Sequence, residues 1–323
     1  MPARVLAGKN AMRYLGFFVA AAVALASCGG GGSSSVPASS STTSAINVAL
    51  VDAPFATSGI TVTALNLGIL KVEVVGNGAA PTAFVTNATP QVVNILNFTS
   101  ATAPLSFAGT IPVGTYSQLR FVLDTATTTI SYTDANAVAH NNVPLTVPSA
   151  TTSGFGNNSS TDAGDGQGTA GVKVNVALTV VAGTTYGFVV DWNALHSIIV
   201  TGGPAPQFMM KPVLIATAQA TSGAIAGTVK NQAGTTAVSG AEVDAQQGGT
   251  TVNSSVTAAD GTFTINALPA GSYTLVVKNS YTTLGGTANT ALNYDISVGA
   301  TLTVPGSVPV TAGQTTQAGT IND

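Results

Sequence analysis

The chain has 323 residues, of which only 7% are charged (9 basic, 12 acidic) and 45% are hydrophobic. So few charges exclude a phosphate-neutralising surface, and so much apolar matter excludes a chain that stays unfolded for want of a core. A single cysteine excludes an internal disulfide framework, so stability must come from burial.

Residues 1–13 carry Arg4, Lys9 and Arg13 and no acid, and an apolar stretch runs from Tyr14 to Leu25. The small residues Ala26 and Ser27 then precede Cys28. This is the order of a secretory signal, and the apolar stretch falls short of the roughly 20 residues a membrane span needs. Leu25-Ala26-Ser27-Cys28 resembles a bacterial lipobox. The resemblance implies cleavage before Cys28, lipidation of that residue with palmitate among the acyl chains, and a membrane partner reached through the anchor. Gly29 stands where an Asp would favour inner-membrane retention, which by the same resemblance implies the outer membrane of a Gram-negative bacterium. Residues 1–27 are then a signal peptide and 28–44 a Gly/Ser/Thr-rich flexible tether. Past the signal, six bases remain against twelve acids. Lys71, Arg120, Lys173, Lys211, Lys230 and Lys278 are scattered singly, which argues against nucleic acid as a partner.

The remainder predicts an all-β fold. Alternating apolar residues recur without any long run at helical spacing, and Gly, Asn and Pro punctuate them. Ile46, Val48 and Leu50 mark a first strand, stopped at Asp52-Ala53-Pro54. Leu70, Val72 and Val74 mark a second, with Lys71 and Glu73 on its opposite face. Leu119, Phe121 and Leu123 follow a turn at Pro112–Tyr116, with Gln118, Arg120 and Asp124 facing away. Val172, Val174 and Val176 form another strand, and Tyr186–Trp192 and Phe208–Ile215 one each. Pro148–Gly171 is expected to be a long polar loop. Two β-sandwich-like domains in tandem are expected, at 45–220 and 221–323.

The first domain resembles a bacterial lipoprotein domain known as domain of unknown function 4382. The matching residues are Val51-Asp52-Ala53-Pro54, Lys71–Val74, Ile111–Tyr116, Leu119–Asp124, Val147-Pro148-Ser149, Val190-Asp191-Trp192 and Lys211–Leu214. The second carries Ala226–Val229, Gly240–Val243, Asp260–Ile265 and Leu268–Leu275, and resembles the carboxypeptidase regulatory-like module. That resemblance implies a seven-stranded sandwich related to carbohydrate-binding-like folds. In it, Phe263 and Ile265 face in, as do Tyr273, Leu275 and Val277. The chain is expected to close with Leu302–Val304 and Val308–Thr311.

Catalytic raw material is scarce. His140 and His196 are the only histidines, Glu73 and Glu242 the only glutamates, and no metal-protease, nucleophile-elbow or phosphate-loop motif is present. A Ser/His/Asp arrangement of Ser197, His196 and Asp191 is rejected because neighbours on a strand face opposite ways. Asp52, Asp124 and Asp191 flank strands and are expected to cap turns, with convergence on one rim as a ligand site the alternative. Asp162 and Asp165 lie in a Gly-rich stretch of the polar loop. They are candidate calcium ligands, weighed against a solvated loop as the leading reading. Tyr281 and Tyr294 are the candidate sugar-stacking aromatics of the second domain. The composite expectation is a non-enzymatic, lipid-anchored envelope protein with a structural, adhesive or binding role. Carbohydrate binding through the C-terminal domain and calcium-dependent adhesion are the alternatives, with a glycan or an envelope protein as partner.

Overall fold

In the computed structural model, which describes residues 42–52, 60–76, 80–99, 103–134, 136–147, 169–201, 206–278 and 301–322, the first alternating run forms β1 (Thr43–Val51). Ile46, Val48 and Leu50 are fully buried on its inner face. Next come β2 (Thr61–Gly76), β3 (Thr82–Asn94), β4 (Leu105–Pro112), β5 (Gly114–Asp124), β6 (Thr129–Thr133), β7 (Ala139–Thr146), β8 (Thr169–Val180) and β9 (Thr185–Trp192). One helical turn, α1 (Ala194–Ser197), precedes β10 (Ile198–Thr201), β11 (Gln207–Met210) and β12 (Leu214–Ala218). Among the described residues these strands build two sheets. One has the order β12-β9-β1-β4; the other runs β10-β11-β7-β6-β2-β5-β8, with β3 added on β2. Both sheets bury their inner faces in one core, where Phe121 of β5 meets Phe107 of β4 edge-on at 6.0 Å and Trp192 of β9 at 6.2 Å.

The second domain contains β13 (Ser222–Lys230), β14 (Glu242–Gln247), β15 (Thr250–Val256), β16 (Thr262–Pro269), β17 (Gly271–Lys278), β18 (Thr301–Thr303), β19 (Val308–Val310) and β20 (Thr315–Asn322). A three-stranded sheet, β16-β13-β20, faces a sheet in which β15, β14 and β17 lie side by side and both β18 and β19 pair with β17. Phe263, Ile265, Tyr273, Leu275 and Val277 fill the core between them, as the alternation predicts. The fold is all-β, in two tandem domains.

Both domains share a local device. Ile111-Pro112-Val113-Gly114-Thr115-Tyr116 and Leu268-Pro269-Ala270-Gly271-Ser272-Tyr273 each turn the chain from one strand into the next. In each, the tyrosine Oη donates to the proline carbonyl four residues back, at 2.9 Å from Tyr116 and 2.7 Å from Tyr273. The two glycines adopt nearly the same φ, 156° and 158°. Burial raises both phenol pKa values, so each hydroxyl remains a donor.

Three sequence expectations are corrected. A bulge in β2 between Ile69 and Lys71 shifts the phase, so Leu65, Leu67 and Ile69 share the buried face with Val72 and Val74 while Leu70 is only half-buried. The run Phe208–Ile215 is not one strand. Pro212 interrupts it, and its halves, β11 and β12, belong to different sheets. The chain does not close at β19. β20, too poor in apolar residues to show alternation, pairs parallel with β13. Glu73 and Arg120 do lie on the face away from the first domain's core, as the alternation predicts, and they are buried there as cross-strand partners with Arg120 Nε 2.7 Å from Glu73 Oε2. The β8 backbone lies close beneath, and a Cβ at Gly171 would meet the Arg120 stem. Of the polar loop, Thr169–Gly171 is strand, and 148–168 lie outside the described residues.

Glu73→Ala strips Arg120 of this carboxylate inside the protein and is expected to cost about 3–5 kcal/mol in urea unfolding. The double change Glu73→Leu with Arg120→Met removes both charges and is expected to restore most of that loss.

Candidate functional site

Cys28, Asp162, Asp165, Tyr281 and Tyr294 all lie outside the described residues. What the structure assembles from the remaining polar groups is a seam between the two domains. It starts from register. β1 and β9 run parallel with Val51 opposite Asp191, so Val51, Val189 and Asp191 share one face of the sheet, the face turned from the core. β12 lies on the other side of β9, with Ile215 opposite Asp191. This outer face packs on β16 of the second domain, where Ala267 joins Val51 and Val189 in a small apolar cluster flanked by Ala49 and Ile215.

Ala267 reaches that cluster through an irregular backbone. Its φ is +53°, which a residue with a Cβ rarely adopts, and the β13–β16 register shifts beside it. The bulge turns the Ala267 carbonyl to accept from Thr217 Oγ1 of β12 at 2.7 Å. Next to it, Asn253 of β15 donates from Nδ2 both to Asp191 Oδ2, at 2.8 Å, and to the Asn266 carbonyl, at 2.9 Å. Asn266 in turn donates from Nδ2 to the Thr99 carbonyl of the first domain at 3.3 Å. Asp191, Asn253 and Asn266 are all buried. Burial, opposed in part by the Asn253 bond, pushes the Asp191 carboxyl up to about 7.

A second polar group borders the seam. His196 Nε2 of α1 lies 3.5 Å from Glu242 Oε1, and Lys278 Nζ lies 3.3 Å from the same oxygen and 2.7 Å from Asp244 Oδ2. Asp244 Oδ2 also accepts from Thr251 Oγ1 at 2.8 Å. Burial would raise the Glu242 carboxyl, but His196 and Lys278 outweigh it and hold Glu242 below its ordinary range. Burial would lower Lys278, but Asp244 and Glu242 raise it instead.

These placements revise the roles expected of the aspartates and of His196. Asp124 caps its turn as expected, accepting from Thr127 N at 3.0 Å. Asp52 caps across the fold, accepting from Ala194 N at 3.0 Å. Asp191 caps nothing: its bonded partner is an amide 62 residues away, which no local signal announces. Residues 194–197 are a helical turn and not a strand end, so the strand argument against a Ser197–His196–Asp191 arrangement does not apply. Ser197 is nevertheless committed elsewhere, donating to the Asn193 carbonyl at 2.7 Å and accepting from Val213 N at 2.9 Å. Glu73 and Glu242 sit in separate domains, each in an ion pair.

A cleft of about 490 Å³ opens where the domains meet, lined by Asp52, Thr63, Asn97 and Thr99 from the first and by Thr262 and Thr264 from the second. Among the described residues no three His, Cys, Asp or Glu side chains are grouped to hold a metal ion, and no helix is long and apolar enough to cross a membrane.

The fold and the seam thus define a tandem β-sandwich protein whose buried charges tie strands and domains together. The chain belongs to the family described as Domain of unknown function (DUF4382), whose model matches residues 43–212. Residues 224–321 match the Carboxypeptidase regulatory-like domain. No curated protein matches the chain. Among solved structures, it is similar to the TIE protein of Bacillus anthracis (12% identity, TM-score 0.23, covering 87% of this chain and 34% of that one). It is also similar to a leucine-rich repeat protein from Bacteroides thetaiotaomicron (14%, TM-score 0.21, 88% and 26%). A third is BcpA, the major pilin subunit of Bacillus cereus (11%, TM-score 0.21, 87% and 69%). The chain spans about a third of the length of the first and about a quarter of the second.

The raised Asp191 pKa carries a signed consequence for stability. The folded state binds this proton more tightly than the unfolded chain, whose aspartates titrate near 3.9, so stability is greatest below about pH 4 and falls as the pH rises to about 7. The loss amounts to about 4 kcal/mol, at 1.36 kcal/mol per pKa unit. Asp191→Asn keeps an oxygen for Asn253 without the titration. Its stability in chemical unfolding is expected to match wild type at pH 4.5 and to exceed it at pH 8.

Proposed function

We propose that this protein is a lipid-anchored structural or adhesive element of a bacterial cell envelope, held at the outer membrane through Cys28 and presenting its two sandwiches from that anchor. The observation that carries the reading is the use made of buried charge. Asp52, Glu73, Arg120, Asp191, Glu242 and Asp244 are the buried charged residues among those described, and each bonds to a strand, a turn or the other domain. Chemistry committed in this way supports cohesion rather than catalysis. The anchor rests on Leu25-Ala26-Ser27-Cys28 behind a basic start and a short apolar stretch.

A second reading, carbohydrate binding involving the C-terminal domain, is supported by the cleft at the seam. Its threonine hydroxyls and the Asn97 amide suit a neutral, polyhydroxylated ligand, and no base lines it. On a glycan array, Thr264→Arg would block this cleft and abolish binding; binding that survives the change refutes the cleft as the site.

For the anchor, Cys28→Ala is expected to abolish metabolic palmitate labelling and to release the protein from the membrane fraction. Unchanged labelling in that variant overturns the lipoprotein reading.

A further inference from the structure

The seam depends on a carboxyl that the fold leaves half satisfied. Asp191 is 1% exposed. Its Oδ2 accepts from Asn253, whereas its Oδ1 is buried with no hydrogen-bond partner among the described residues. A carboxylate in water keeps several donors on each oxygen, and one amide cannot replace them. A neutral carboxyl has far less solvation to lose.

We propose that the seam between the two sandwiches is a proton-operated latch: it closes on protonated Asp191 and loosens when Asp191 ionises, swinging the second domain away from the first without unfolding either.

The charged groups around Asp191 do not neutralise it. On its own domain, Asp52 beyond the end of β1 accepts from Ala194 N, His196 of α1 faces Glu242, and Lys211 ahead of β12 is exposed. From the second domain, β15 and β16 contribute the uncharged Asn253, Asn266 and Ala267, while Glu242 and Asp244 of β14 are bound to Lys278 of β17. No cation is bonded to Asp191 among the described residues.

Separation is the route of relief because the first domain does not need the seam to hold β9. That strand is bonded along both edges, to β1 and to β12. Undocking returns Asp191 to water while every strand pair of its sheet survives. With the docked carboxyl pushed up to about 7 and an ordinary solvated one near 3.9, docking is strongest below about pH 4. It weakens about tenfold per pH unit up to about 7 and stays weak above, about a thousandfold in all.

The test is differential scanning calorimetry of the whole chain at pH 5 and pH 8.5. Wild type is expected to unfold in one transition at pH 5 and in two at pH 8.5, with a radius of gyration by small-angle scattering that grows between those values. Asp191→Asn is expected to keep one transition and one radius at both. Asn253→Asp, which sets a second carboxyl against the first, is expected to split the transition already at pH 6. The same number of transitions and the same radius for wild type at both pH values overturns the latch, whatever becomes of the variants. A split that persists unchanged in Asp191→Asn overturns the role of Asp191.

Discussion

The bond from Asn253 to Asp191 is the contact on which the seam between the two domains turns. Asn253 stands on the edge strand of the second sandwich, and its Nδ2 donates at once to a backbone carbonyl of its own domain and to a carboxyl of the other. An amide that spends both of its hydrogens in fixed directions sets distance and orientation together. Apolar contact alone does not, because the hydrophobic effect has no direction. The few methyl groups of Val51, Val189 and Ala267 exclude water around this bond, and Ala267 accepts an unfavourable φ so that its carbonyl and methyl both face the first domain. The strain belongs to the second domain, but the contacts that offset it come from the first.

The same economy of charge recurs inside each domain. Glu73 and Arg120 face each other across β2 and β5, and Lys278 binds two acids of β14 from the neighbouring strand. Buried pairs of this kind add little net stability over a well-packed apolar pair, because desolvation cancels much of the attraction. What they do is penalise every register in which one partner is left alone. In sheets made largely of Thr, Val, Ala and Gly, where a slip of one residue would meet similar neighbours, that penalty distinguishes one pairing from the next.

The two domains differ in strand order and length, yet both use a Pro-x-Gly-x-Tyr corner whose tyrosine closes on the proline carbonyl. Proline removes a donor at the corner and glycine takes a backbone conformation that side chains disfavour. The tyrosine ring, buried in the core, brings its hydroxyl back to donate to the proline carbonyl. The device needs only six contiguous residues, so it can be read from sequence in either domain.

That locality separates what the sequence determined from what the tertiary structure decided. Period-two alternation with turn residues specified an all-β chain and the inward faces of β1, β5, β16 and β17, because the face a side chain takes on a strand depends only on its own position. The turn capped by Asp124 was equally local, bonded within three residues. Alternation cannot say what lies above a face. It put Glu73 and Arg120 on the face away from the core and could not show that the fold buries them there as partners. It could not place the bulge that rephases Leu70, since an extra residue in one strand is defined by its partner. Nor could it show that the two sides of Pro212 enter different sheets. Asp191 is the clearest case. Its sequence neighbours mark it only as the end of a strand, and its partner, its burial and its raised pKa all come from Asn253, 62 residues along the chain, through the docking of one domain on another.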